Sequence, residues 1–495
     1  MTAISDFIAL QAMRRPDVPA VADLASGKSW TYAGLDRLTG QLAQALLDRG
    51  LEPGDRLAVL ARNRGELVAL QHACARTGVI YVPLNWRLSA PELADLVEDC
   101  QPGLLLGDDQ LAAAGLEGGD LADFIAASAE LAPVAGGEAD PDRVSLILYT
   151  SGTSGRPKGA MLSEANLTET AINFSILGDV TASSVFLCDA PMFHVIGLVT
   201  NVRPVLMRGG CCLVSDAFIP ARTLSRLGDP DLGVTHYFCV PQMAAALRAE
   251  PDFNPASLRK LTGLFTGGAP HPAPNIEAWL DDGISIVDGF GMSETGTVFG
   301  MPIDRELIRQ RAGSAGQGTP RIRSRIVGAD GADCPVGEAG ELWLKGPGVF
   351  SGYWQRPDAN AEAFVDGWFR TGDIARADAQ GFHWLVDRKK DMYISGGENV
   401  FPAEVESVLV AHPDIAECAI VGVGDERWGE VGHAFLVLRP ESGCDADSVL
   451  AWLDGRIARY KLPRHVSILE ALPRNGAGKI LKRELQTYPI PGASR

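Results

Sequence analysis

YTSGTSGRPKGAML, Tyr149 to Leu162, follows the apolar run Val144-Ser145-Leu146-Ile147-Leu148, and its reading decides the fold. The run is short, β-rich and ended by turn chemistry, so it predicts a brief buried strand. The residues after Thr150 cannot continue that strand. Gly152, Gly155 and Gly159 lower the steric cost of tight curvature, while Thr150, Ser151, Thr153 and Ser154 add hydroxyls to the main-chain N–H donors. Such a loop suits a polyphosphate. Beyond it, Ser163 is placed to cap a helix ahead of Glu164 and Asn166, so the loop is anchored at both ends. A flexible surface loop is the other reading that a Gly/Ser stretch allows. The Walker spacing is absent, because Pro157 stands where the second glycine should be and Lys158 is followed by Gly159.

The 495 residues exceed one ordinary core and fit about two to four compact units. A composition of 46% hydrophobic and 21% charged residues is that of a globular protein. With 44 basic against 62 acidic residues the net charge is -18, which disfavours nucleic acid or an anionic membrane as a partner. An anionic ligand must then be held by a local cluster. The nine cysteines are scattered with no C-x-x-C pair, which fits a reducing cytoplasm better than a disulfide framework. Cys211-Cys212 reads as strand filling. The N-terminal stretch is interrupted by Asp6, Gln11, Arg14 and Arg15 and predicts an amphipathic helix, not a signal peptide or a membrane span. The final PGASR carries no peroxisomal, retention or prenylation signal.

Outward from the loop, strand-like Asp55 to Asn63, a helix-like stretch through Leu70 and strand-like Gly78 to Asn85 alternate. That alternation predicts an α/β architecture with parallel-rich sheets. Ala112 to Glu138 is rich in Ala and Gly, weak in pattern, and reads as a variable connection. A break is expected near VDRKKDMYISGGENV, Val386 to Val400, where five charged residues run into a glycine pair. After it, Pro402 opens a helix with Val405, Val408 and Leu409 on one face, and Ala419 to Val423 makes an apolar strand. The expected division is a large N-terminal domain, 1–389, and a small C-terminal α/β domain, 390–495.

Three further segments carry chemistry. GFGMSETG, Gly289 to Gly296, follows strand-like Ile284 to Val287. Phe290 offers an aromatic face to a purine, Ser293 a hydroxyl to a phosphate, and Glu294 a hard oxygen to Mg2+. The segment nearly spells a hydrolase elbow, but Thr295 replaces the last glycine and Glu294 would hinder an alkoxide. In WFRTGDIA, Trp368 to Ala375, Asp373 follows a Thr-Gly turn and is suited to accept from ribose hydroxyls, although a lone Asp in such a turn is more often structural. In PRNGAGKILKREL, Lys479 sits in a glycine turn before a helix-like run.

In this order and spacing the four segments resemble the core motifs of the adenylate-forming superfamily of acyl-CoA synthetases, peptide-synthetase adenylation domains and beetle luciferases. The resemblance spans essentially the whole chain. It implies that Thr150, Ser151, Gly152, Thr153, Ser154, Gly155 and Lys158 surround the β- and γ-phosphates of ATP. Gly267, Gly268 and Ala269 would border the adenine and acyl site. Asp288 and Phe290, with Gly291 and Met292, would frame the adenine, Phe290 replacing a more usual tyrosine. Ser293 would meet the α-phosphate, Glu294 the Mg2+, Asp373 the ribose, and Arg388 the ribose or phosphates. Lys390 would be the hinge of a rotating small domain. In the first half-reaction a carboxylate attacks Mg-ATP, and Lys479 neutralises charge developing on the attacking and bridging oxygens. In the second the rotated domain presents Ser395 to Asn399, with Gly396 and Gly397, and a thiol displaces AMP.

PMFHVIGL, Pro191 to Leu198, places His194 beside Met192, Phe193, Val195 and Ile196, with Val298 and Phe299 as further apolar candidates; each could equally be core. By the resemblance, amino-acid-adenylating members carry an Asp where His194 stands, so the expected substrate is an apolar fatty or aromatic carboxylic acid. Coenzyme A is the simplest acceptor. An enzyme loading a separate carrier protein is the alternative, and a non-catalytic ATP sensor would need damaged motifs. A homodimer is left open.

Overall fold

Apolar runs of strand length separated by amphipathic stretches build two sheets in the N-terminal part of the chain. The computed structural model describes residues 3–150, 157–269, 271–395, 398–425, 427–440, 442–474 and 480–489. In the first sheet seven strands lie in the order Gly352–Tyr353, Lys158–Ser163, Val144–Thr150, Ile80–Pro83, Arg56–Leu60, Leu104–Gly107 and Gly119–Asp120. From Val144–Thr150 outward to Gly119–Asp120 the neighbours are parallel. Val144–Thr150 and Lys158–Ser163 instead form an antiparallel hairpin with Thr150 opposite Lys158. The second sheet has nine strands, and its centre, from Ile286–Met292 through Gly263–Thr266, His236–Cys239, Val185–Cys188 and Cys211–Val214 to Pro19–Asp23, is parallel throughout.

The helix after the hairpin starts as its cap chemistry dictates. Ser163 accepts from the Asn166 N–H, Asn166 Oδ1 accepts from the Ser163 N–H, and the helix runs Glu164–Leu177. The amphipathic N-terminal helix is Phe7–Arg14, capped by Asp6. Ala112 to Glu138, read as a variable connection, carries a short helix: Asp120 caps Leu121–Ser128, and Leu121 and Phe124 are buried. Two anchors in an alanine-rich background give a weak periodicity but suffice once a core exists to receive them.

The chain divides into two compact units, one of Met1–His271, Asn275–Arg323 and Leu344–Phe369, the other of Pro272–Pro274, Ser324–Trp343 and Arg370–Arg495. The break expected at 389/390 lies inside the second unit, which takes up the chain again at Arg370. Within that unit Ile415–Asp425 and Gly429–Leu438 pair antiparallel, His465–Ile468 adds in parallel, and Pro402–Val410 packs Val405 and Leu409 into the core with Ile420 and Leu436. All nine cysteines are free thiols. Among the described residues no helix is long and apolar enough to cross a membrane.

Candidate active site

The hairpin around the glycine-rich loop brings Lys158 back beside Thr150, whose Oγ1 donates to the Lys158 carbonyl at 3.3 Å. Gly352–Tyr353 extends this hairpin, with Ala160 opposite Tyr353. The Tyr353 ring consequently stands near Lys158, whose Nζ is 5.2 Å from its centroid. The Tyr353 hydroxyl donates to Glu294 Oε1 at 2.9 Å, and the Phe350 N–H donates to the Glu294 carbonyl at 2.7 Å. Lys158 and Glu294, read from segments far apart in the chain, thus meet the same phenol. Glu294 is 6% exposed, and its hard oxygens are suitable donors for Mg2+.

Glu294 lies in the turn Ser293-Glu294-Thr295 that joins Ile286–Met292 to Gly296–Gly300. The hairpin is tight: Gly296 has φ +59°, and a Cβ there would stand 1.8 Å from Thr170 Oγ1. A Cβ at Gly291 would stand 2.2 Å from the Gly296 carbonyl oxygen. Met292 ends the first strand and pairs with Gly296, and Phe290 stacks on Phe299 with centroids 5.9 Å apart.

Gly267, Gly268 and Ala269 follow Gly263–Thr266 at its carboxyl end, where open α/β sheets place their ligands. Thr266 pairs with Asp288 across the parallel strands, and its Oγ1 lies 3.1 Å from Asp288 Oδ1 and 3.0 Å from His271 Nδ1. Burial pushes the Asp288 carboxyl up to about 8 and the His271 imidazole down to about 4, so at neutral pH both favour their uncharged forms. Built on Gly267, a Cβ would lie 3.1 Å from the Gly289 carbonyl oxygen and 3.3 Å from Phe238; on Gly268, 3.4 Å from Ile196 and 3.7 Å from Val240. Phe238, Ile196 and Val240, all half-buried, therefore pack within van der Waals reach of the glycine pair.

His194 reaches that neighbourhood through a turn in which its N–H donates to the Pro191 carbonyl, just before the π-helix Ile196–Thr200. Asn63 clamps the turn, accepting from the Met192 N–H at 2.8 Å and donating to the Ala190 carbonyl at 2.8 Å. Of the apolar candidates, Met192, Phe193, Val298 and Phe299 are buried core, whereas Val195 and Ile196 are half-buried.

In the second unit Asp373 lies in the continuous strand Trp368–Ala377, not in a turn; Gly372, at φ +71°, kinks the strand and produces the turn-like sequence. Its partner strand His383–Arg388 sets Arg388 opposite Asp373, and Arg388 Nε donates to Asp373 Oδ1 at 2.7 Å. Lys390 is exposed in the turn after that strand, where the Asp391 N–H donates to the Arg388 carbonyl at 2.9 Å. Ser151, Gly152, Thr153, Ser154, Gly155, Gly396, Gly397 and Lys479 lie outside the described residues. Sequence reasoning missed Tyr353, Asn63 and Thr266, which bond candidate residues or their neighbours from distant segments or from within a strand.

Two unequal α/β units with a glycine-rich hairpin are the architecture of the adenylate-forming enzymes. The pattern of the AMP-binding enzyme family matches residues 8–354, and that of the AMP-binding enzyme C-terminal domain matches 404–479. A feruloyl-CoA synthase from an Amycolatopsis species is 40% identical, covering 93% of this chain and 94% of its own. An indoleacetate–CoA ligase from Aromatoleum aromaticum is 38% identical over 92% of each. The solved o-succinylbenzoate CoA synthetase from Bacillus subtilis, in complex with its acyl-adenylate intermediate, superposes with a TM-score of 0.90 at 30% identity over 99% of each chain. The same enzyme with ATP and magnesium gives 0.88 at 31% over 98% of this chain and all of that one. The chain belongs to the AMP-binding enzyme family and is an AMP-forming acyl-CoA synthetase, working with ATP, Mg2+ and CoA.

Proposed function

We propose that the acid activated by this ligase is an aromatic monocarboxylate of the arylpropenoic or arylacetic kind. The observation that carries the reading is the apolar character of the neighbourhood of Gly267 and Gly268, where the half-buried Phe238, Ile196 and Val240 stand close to the glycine pair. His194 supports it, because a histidine there gives an amino-acid substrate no carboxylate for its ammonium group. The relatives that act on ferulate and indoleacetate favour the aromatic over the straight-chain alternative.

In the proposed sequence a carboxylate oxygen attacks the α-phosphorus and the bond to pyrophosphate breaks; the CoA thiolate then attacks the acyl carbon and AMP leaves. Thr150 and Lys158 hold the β- and γ-phosphates, Ser293 the α-phosphate, and Asp288 and Phe290 the adenine. Asp373 and Arg388 hold the ribose, and Glu294 supplies an oxygen to Mg2+, whose charge offsets that of the phosphates. Lys479 supplies mobile charge to the first step, and Lys390 is the pivot between the two.

A panel of arylpropenoic, arylacetic, straight-chain and amino acids, incubated with ATP, Mg2+ and CoA and read by mass spectrometry of thioesters, tests the substrate. An aryl acid is expected to exceed a medium-chain fatty acid by about 10-fold or more in kcat/KM. A dominant fatty acyl-CoA or aminoacyl adenylate would overturn the reading.

A further inference from the structure

Tyr353 touches both residues read as handling the charged end of ATP, and its placement is over-determined. Edge-strand pairing fixes its backbone, with the Ser351 N–H donating to the Met161 carbonyl and the Trp354 N–H to the Gly159 carbonyl. The Asn360 amide closes two further bonds on the same residue: Oδ1 accepts from the Tyr353 N–H at 2.6 Å, and Nδ2 donates to the Tyr353 carbonyl at 3.1 Å. Phe350 packs against the ring edge-on, centroids 4.8 Å apart, while its own N–H holds the backbone of Glu294. The phenol therefore has little freedom of its own. Its hydroxyl ends 2.9 Å from Glu294 Oε1, and Lys158 Nζ lies 5.2 Å from the ring centroid.

We propose that Tyr353 is a positioning residue for metal–nucleotide binding, orienting the Glu294 carboxylate towards Mg2+ through its hydroxyl and steering the Lys158 ammonium through its ring. The proposal rests on reading Glu294 as the Mg2+ ligand and Lys158 as a phosphate contact. A phenol suits the first task because it donates one directional hydrogen bond and adds no positive charge beside the cation; hydrogen-bonded partners of this kind set ligand orientation at metal sites. The ring suits the second because its negative face attracts an ammonium without supplying a counter-ion, which leaves the charge of Lys158 available to phosphate.

The two contacts can be separated by substitution. Tyr353→Phe removes the hydroxyl and keeps the ring; Tyr353→Leu removes both. The measurements are equilibrium binding of Mn2+-ATP and of metal-free ATP by calorimetry, together with the Mg2+ concentration that half-saturates pyrophosphate release. Tyr353→Phe is expected to weaken Mn2+-ATP binding and raise the Mg2+ requirement about 10-fold, with metal-free ATP binding unchanged. Tyr353→Leu should in addition weaken metal-free ATP binding several-fold. In a Glu294→Gln background Tyr353→Phe should cause no further loss, because the hydroxyl acts through the carboxylate. A purely structural tyrosine would lower the melting temperature and leave the metal titration where it was. If Glu294→Gln leaves Mn2+-ATP binding unchanged, the metal assignment fails and takes the proposal with it. If Glu294→Gln weakens that binding and Tyr353→Phe does not, the positioning role alone is overturned.

Discussion

Glu294 in the first unit and Asp373 in the second are both nearly buried carboxylates, 6% and 5% exposed as whole residues, yet the donors that bond them differ in charge. Glu294 takes a hydrogen bond from a neutral phenol, and Asp373 takes one from a guanidinium. A phenol fixes direction and leaves the carboxylate its charge, which a metal ion can then use. A guanidinium offsets the charge of the carboxylate it orients, and so lowers its attraction for a second cation. The lesson is that burial alone does not say what a carboxylate is for; the charge of the groups bonded to it counts as well.

The sharpest way to break this comparison is Glu294→Gln. If the charge is what matters, the amide should reduce adenylate formation about 100- to 1000-fold, since a metal ligand and the transition-state stabilisation it organises are lost together. Circular dichroism and the melting temperature should stay near those of the parent, and pyrophosphate release across a Mg2+ titration is the measurement; a normal rate would remove the distinction between the two carboxylates.

Asp373→Asn should do less. The amide oxygen can still accept from a hydroxyl, so KM for ATP should rise about 10-fold with kcat nearly constant, and the Mg2+ requirement should not move. The Arg388 side chain is 43% exposed and can be solvated once its partner is neutral, so little stability is expected to be lost. A shift in the Mg2+ requirement would show that Asp373 contributes to the metal after all.

Asp288 should give the smallest effect on activity at neutral pH. Its carboxyl is pushed up to about 8 by burial, so the fold favours the protonated form. That contribution to stability is complete below the unfolded-chain value near 4 and is lost as the pH rises through 8. Asp288→Asn, an isosteric neutral group, should change activity at pH 7 by only a few-fold and flatten the decline in melting temperature between about pH 4 and 8. An undiminished decline across that range in the variant would place its cause elsewhere.

Features whose causes are local were legible in the sequence. The strand before Thr150, the cap at Ser163, the proline-led helix at Pro402 and the apolar strand around Ala419 stand where patterning and turn chemistry put them. Tyr353 was not legible, because its meaning lies in a hydrogen bond to a residue 59 positions away and in the sheet pairing that carries it there. The Thr371-Gly372 pair shows a different limit. Turn-forming residues mark a local change of backbone direction, and whether a strand ends there depends on its neighbours; here the Thr371 hydroxyl bonds the Leu342 carbonyl and the strand continues. Asp288 was read as an adenine contact, but its altered acidity comes from burial, which composition does not reveal.

The hairpin at Gly296 also constrains how sequences related to this one can diverge. With φ at +59° and Thr170 Oγ1 standing 1.8 Å from where a Cβ would lie, any side chain at that glycine forces Thr170 to move. Thr170 would first have to shrink or turn away, giving up its bond to the Asn166 carbonyl, and even then the left-handed backbone would admit little beyond Asn or Asp. Change at this corner is therefore ordered in time. A lineage that lost the glycine should carry a record of the earlier step in the helix beneath it.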